Sequence, residues 1–200
     1  MLRPLLAALV LAGCAETKPS RFYLLSAVPE ASRPADLERS AKAAAMSLGV
    51  GPVELPKYLD RPLLVRFATP NRLEMSEFDR WAEPLNDNFA RVLGENLSVM
   101  VPTSQIAVYP FGAGTPRLFE RQVLVDVSQF RLNPNGEVEL KAVWRVIDPQ
   151  RRQNPVSGAF ATFEPVGSNE AEPVVAAMSR AVATLSRDIA AAIKEPRKRR

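Results

Sequence analysis

Between positions 84 and 100, Leu85, Phe89, Val92, Leu93, Leu97 and Met100 recur at steps of three and four, which places them on one stripe of a helix. Pro84 suits the first helical position, with Glu83 before it, and Pro102 stops the run. A second stripe, Val174, Met178, Ala181, Val182, Leu185, Ile189 and Ile193, predicts a helix over residues 173–194. Asn169 and Glu172 are its available capping groups, and Pro196 lies beyond its end. Seven alanines in that helix permit close packing on a sheet.

Elsewhere the period is two. Val123, Val125 and Val127 alternate with polar residues, whereas Phe130 and Leu132 are out of phase with them, which predicts a bulge near Ser128 or Gln129. Asn133-Pro134-Asn135-Gly136 is turn chemistry, so residues 118–132 and the following strand form a hairpin. The return strand sets Val138, Leu140, Ala142, Trp144 and Val146 on a core face, and Glu137, Glu139, Lys141 and Arg145 on a face read as wet. After a polar turn over 148–155, residues 156–163 supply a third strand. Shorter strands are expected at 21–26, 63–67 and 105–109, with 73–76 pairing beside 63–67. A loop with one helical turn is expected at 27–45 and a Gly/Pro loop at 110–116. Residues 48–55 are interrupted by Gly49, Gly51 and Pro52 and read as an edge or bulged strand. Residues 56–62 form a turn held between Pro56 and Pro62.

Strands outnumber helices, and one amphipathic helix follows each strand group. The pattern predicts an α/β chain of the α+β sandwich type: a largely antiparallel mixed β-sheet with two long amphipathic helices packed on one face.

The amino terminus follows neither period. Met1-Leu2-Arg3 is a short basic start, and the apolar run to Ala12 is too short to span a bilayer, which needs about 20 apolar residues. It matches a secretory signal instead. The run ends in Leu11-Ala12-Gly13-Cys14, which looks like a bacterial lipobox, with Cys14 receiving diacylglyceryl and N-acyl lipid. Ala15, where Asp would favour inner-membrane retention, implies export to the outer membrane. The organisation expected is therefore a signal peptide over 1–13, a lipidated tether over 14–20, a single domain over 21–194 and a basic tail over 195–200.

Composition narrows the chemistry. Among 200 residues there is no histidine and one cysteine, so His-based triads, His-ligated metals, internal disulfides and multi-thiolate sites are excluded. No Ser-x-x-Lys motif provides another base for a serine nucleophile, and no catalytic residue, metal site or cofactor other than the Cys14 lipid is assigned. The formal charge of +4 sits in the tail, where Lys194, Arg197, Lys198, Arg199 and Arg200 face only Glu195. The balanced remainder does not describe a nucleic-acid-binding domain.

Three stretches carry a resemblance: Phe22-Tyr23-Leu24-Leu25, then Val53-Glu54-Leu55-Pro56-Lys57-Tyr58-Leu59-Asp60-Arg61-Pro62, then Phe78-Asp79-Arg80-Trp81-Ala82-Glu83-Pro84-Leu85. In this order, with the closing hairpin and the Ala-rich helix, the chain resembles the auxiliary lipoproteins of ABC-type lipid-transport systems, the PqiC-like family. The resemblance implies an outer-membrane lipoprotein on the periplasmic face, without bond chemistry of its own. It would dock an MCE-domain protein that spans the periplasm, as a homo-oligomeric ring in some arrangements. A lipoprotein assisting another outer-membrane machine, such as lipopolysaccharide export, is the alternative. Tyr58 and Leu59 are the expected partner contacts, as an exposed apolar pair between prolines. Trp81 is either a core anchor or a partner contact, Trp144 belongs to the core, and Asp79 and Glu83 serve as capping or ion-pair groups.

Overall fold

In the computed structural model, residues 18–29, 46–112, 119–150 and 155–194 are described. Cys14, the expected helical turn before Ala45, part of the 110–116 loop and the basic tail lie outside the described residues. In chain order the elements are β1 (Arg21–Tyr23), β2 (Met46–Glu54), a 3₁₀ turn (Lys57–Leu59), β3 (Leu63–Thr69), β4 (Arg72–Trp81), α1 (Leu85–Met100), β5 (Thr103–Val108), β6 (Arg121–Leu132), β7 (Glu137–Ile147), β8 (Val156–Pro165) and α2 (Ala171–Lys194).

The fold is α+β, with its strands divided between two sheets rather than gathered in one. A five-stranded sheet has the order β5-β2-β6-β7-β8, and a smaller one has the order β1-β4-β3. Antiparallel pairing dominates by length through β6, β7 and β8, but β2 runs parallel to both its neighbours and β1 runs parallel to β4. Strand β2 is therefore interior and not an edge. It accepts Pro52 because the register with β6 breaks between Val50 and Val53, where no ladder bond is lost to the missing N–H. Gly51 has φ +102 at that break, a conformation that favours glycine, and its carbonyl accepts a bond from the Gln122 amide at 2.8 Å. Strand β4 continues to Trp81, so in the stretch Phe78–Leu85 the residues Asp79, Arg80 and Trp81 are paired backbone.

The β6–β7 hairpin follows its sequence signals. The register shifts between Val127 and Gln129, and this returns Phe130 and Leu132 to the core face. In the turn, Asn133 Oδ1 accepts the N–H groups of Asn135 (2.9 Å) and Glu137 (3.0 Å), and Gly136 has φ +77. Both helices cover the same face of the large sheet. Phe89 of α1 meets Phe130 of β6 edge to face at 5.3 Å, and Trp144 Nε1 of β7 donates to Asp188 of α2 at 2.7 Å. The Trp144 indole lies so close over Gly158 of β8 that any Cβ there would sit 2.6 Å from the ring.

Between the helices lies a row of polar side chains. Asn88, Asn96 and Ser186 are fully buried and Ser179 nearly so. They receive an extended strap of residues 25–28. Leu25 N–H donates to Asn88 Oδ1 (2.7 Å), Ser26 N–H to Ser179 Oγ (3.1 Å) and Val28 N–H to Asn96 Oδ1 (2.8 Å). Asn96 Nδ2 in turn donates to Ser186 Oγ at 3.1 Å, and each serine donates to the carbonyl four residues earlier. Every bond advances in the same direction along the strap, α1 and α2, so the two helices run side by side in one sense.

Replacing Asn96 by Ala strands the Val28 N–H and removes the donor to Ser186. Leaving such buried groups unpaired costs about 1–3 kcal/mol. Urea denaturation of Asn96→Ala is expected to show a loss in that range, and amide exchange at Val28 is expected to accelerate.

Candidate functional site

The 3₁₀ turn places the expected contact residues differently from an exposed turn. Leu59 N–H donates to Pro56 O at 2.9 Å and Asp60 N–H to Lys57 O at 3.2 Å, which rolls Lys57 and Asp60 outward and Leu59 inward. Leu59 is 4% exposed within the core, so the expected exposed pair is corrected. Tyr58 is half-buried, its ring edge-on to Phe67 of β3 at 5.6 Å, and burial pushes its hydroxyl pKa up. Trp81 is also buried, and it joins Leu59, Leu64, Leu85, Leu132 and Met178 around a narrow apolar cavity under the small sheet. The structure thus brings Leu59 and Trp81 together as packing, and Tyr58 supports the β3–β4 hairpin.

Asp79 and Glu83 enter two separate networks rather than one acid–base pair. Asp79 accepts from Ser76 Oγ (2.7 Å), Arg21 Nε (2.8 Å) and Tyr23 OH (3.2 Å). Burial pushes its carboxyl up, but the bonds from Ser76 and Arg21 together outweigh burial and hold its pKa below the usual carboxylate value. Glu83 instead accepts from Asn88 Nδ2 (2.6 Å) and Arg91 Nη2 (2.7 Å), bracing the start of α1. Among the described residues no cluster of acidic, histidine or cysteine side chains is arranged to hold a metal ion.

What the structure does present is a surface. Opposite the helices, no layer of described residues covers the large sheet along β7 and β8, where Val143, Arg145, Ala159, Ala161 and Phe163 are all exposed. Strand register puts these side chains on one face, in rows such as Asp126–Val143–Ala159 and Arg131–Glu139–Phe163. Glu139 belongs to this face but is not wet. Arg131 Nε at 3.1 Å and Lys141 Nζ at 2.6 Å close over it, leaving it 5% exposed. Burial raises its carboxyl pKa, but hydrogen bonds from Lys141 and Arg131 outweigh that and lower it.

The same cations tie the face to the hairpin. The Arg131 guanidinium lies over the Phe67 ring at 4.2 Å and Lys141 Nζ over the Phe163 ring at 5.7 Å. Leu73 and Met75 stand opposite Phe67 and Val65 in the hairpin register, on the same hairpin face as these residues, and both are exposed. An apolar rim of Leu73 and Met75 thus lies beyond the covered Phe67. Sequence reasoning missed it because residues 73–76 carried no more than a weak strand signal. The alternation of Leu73 and Met75 with Arg72, Glu74 and Ser76 is the signal that marks it.

Residues 23–190 match the model of a family described as ABC-type transport auxiliary lipoprotein component. Among solved structures, the chain is similar to an uncharacterized protein at 19% identity and TM-score 0.68, covering 88% of this chain and 100% of that one. It is also similar to protein XCC0632 from Xanthomonas campestris at 15% identity and TM-score 0.64, covering 84% and 92% respectively. At these identities the structural likeness is one of fold. No curated protein matches the chain. No helix among the described residues is long and apolar enough to cross a membrane.

Asp79 and Glu139 give the domain a pH signature. Both carboxyls have folded pKa values below their unfolded ones, so their stabilisation is complete above the unfolded carboxylate range and is lost as pH falls through the folded values. Melting temperature is expected to drop on acidification below about pH 4. Asp79→Asn and Glu139→Gln are each expected to be less stable than the parent at pH 7, with the difference shrinking at acid pH.

Proposed function

Because the chain belongs to the family of ABC-type transport auxiliary lipoprotein components, as its three motifs suggested, we propose that it is a lipoprotein docking a transport conduit to the outer membrane. Cys14 carries the diacylglyceryl and N-acyl lipid and holds the domain at the periplasmic face. The partner is an MCE-domain protein that spans the periplasm and, with an inner-membrane transporter, moves lipids between the membranes. The role involves no bond chemistry and no cofactor beyond the lipid. A ring of identical subunits is the assembly that would surround such a conduit.

The observation that carries the docking role is the uncovered face of β7 and β8 with the hairpin rim. Val143 is 52% exposed, Phe163 48%, Met75 54% and Leu73 42%. Large apolar side chains grouped in this way beside ion pairs describe an apolar centre with a polar border, the anatomy of a protein interface. Tyr58, Leu59 and Trp81 contribute from beneath by fixing the hairpin that bears the rim.

Two outcomes are expected. Cys14→Ser is expected to abolish incorporation of labelled palmitate and to release the chain from the membrane fraction; label retained by that variant would remove the lipoprotein reading. Val143→Asp combined with Phe163→Asp is expected to weaken association with the MCE-domain partner by about 30-fold, equivalent to about 2 kcal/mol, at unchanged melting temperature. Unchanged association in a pull-down would place the interface elsewhere.

A further inference from the structure

The outer side of the three-stranded sheet carries a second, chemically different surface. Register aligns Phe22 of β1, Arg80 of β4 and Leu63 of β3 in one row across the sheet. By strand alternation this row faces away from Asp79 and Trp81, which point into the body. Phe22 is 64% exposed, the most exposed of the large apolar side chains among the described residues, and Leu24 beside it is 47% exposed. Arg80 is half-buried, and its side chain makes no hydrogen bond or ion pair among the described residues; its Nε is buried without a partner. The carboxylate beneath the same strands cannot serve it, since Asp79 is committed to Arg21, Tyr23 and Ser76.

A half-buried guanidinium without an anion, flanked by exposed Phe and Leu, fits one surface well. Its planar fork suits a phosphate, and the flanking side chains suit the boundary between headgroups and acyl chains. The position along the chain agrees. Phe22 follows Cys14 by eight residues, so it is at most about 28 Å of extended chain from the attached lipid. Lys18, exposed within that tether, adds a second cation, and each basic residue near an anionic leaflet contributes about 1 kcal/mol.

We infer that the β1 end of the outer face of the β1-β4-β3 sheet is a bilayer-contact surface, on which Phe22 and Leu24 enter the headgroup–acyl boundary and Arg80 takes a lipid phosphate. The inference rests on the Cys14 lipid anchor proposed above. It divides the domain's contacts: the β1 end of the small sheet meets the membrane, and the hairpin rim with the uncovered face of the large sheet meets the conduit.

The test uses the full-length lipidated chain bearing Phe22→Cys, in which acylation of Cys14 leaves residue 22 with the only free thiol. A polarity-sensitive fluorophore is attached there, and the protein is reconstituted in phosphatidylethanolamine–phosphatidylglycerol vesicles and floated on a density gradient. The expected result is blue-shifted emission, quenched by lipids brominated on the acyl chain. The same fluorophore at Phe163→Cys is expected to keep aqueous emission. Leu24→Cys is expected to behave like position 22, and adding Arg80→Gln is expected to return the emission toward the aqueous value. Vesicles that float while the fluorophore at 22 and 24 stays aqueous would overturn this inference and leave the anchor standing. A blue shift that appears only when a second protein is added would assign the surface to that protein instead. A chain that fails to float would remove the anchor and this inference with it.

Discussion

The buried amides of Asn88 and Asn96 are what the rest of the domain is arranged around. Two helices lying side by side on a sheet would ordinarily close their seam with apolar side chains, and polar groups placed there are costly unless every one is paired. Here the seam is held open by one strap of backbone, and each amide and serine hydroxyl in it has a partner. That single arrangement orients α1 and α2 in the same sense, fixes residues 25–28, and so sets where β1 can lie. With β1 placed, Arg21 and Tyr23 reach Asp79, and the small sheet is locked to the body.

Local periodicity made much of this legible. The two helical stripes, the phase change that became the β6 bulge, and the Asn-Gly turn are all short-range signals, and each reappears in the structure at its expected residues. The division into two sheets was not legible, because β1 pairs in parallel with β4 at a sequence separation of 58 and no neighbouring residue encodes that choice. Asn88 and Asn96 were passed over because a polar residue beside an apolar stripe reads as solvent-facing. Their spacing of eight keeps both on one side of α1, and it was the available clue. Leu59 and Glu139 failed for opposite reasons. A 3₁₀ turn rolled an apolar residue inward from what looked like an exposed loop, while two long cationic side chains folded over a carboxylate that alternation had assigned to water.

The candidate surfaces depend on this frame more than on their own residues. Val143 and Phe163 are ordinary strand residues, and they matter because no layer of described residues covers the sheet on their side. Phe67 would be one more exposed aromatic residue without Tyr58 on one side and Arg131 on the other, which together give the β3–β4 hairpin a fixed attitude beside that face. Of the residues first singled out by motif, Leu59 and Trp81 lie in the core and Tyr58 packs on Phe67, beside a surface formed by less conspicuous neighbours.

The strap also has a mechanical side. With the amino end anchored as proposed and a partner drawing on the opposite part of the domain, the strap would be a tether under tension. A pull directed along the strap is met in shear by the short β1–β4 ladder and then by the three bonds to Asn88, Ser179 and Asn96, which stand across the line of the pull. The load passes from those side chains into the axes of two parallel helices, and through them over the breadth of the large sheet. The domain would in this sense be a cleat: the rope enters at one side, is gripped by its backbone regardless of its side chains, and gives up its tension before reaching the uncovered face of the large sheet.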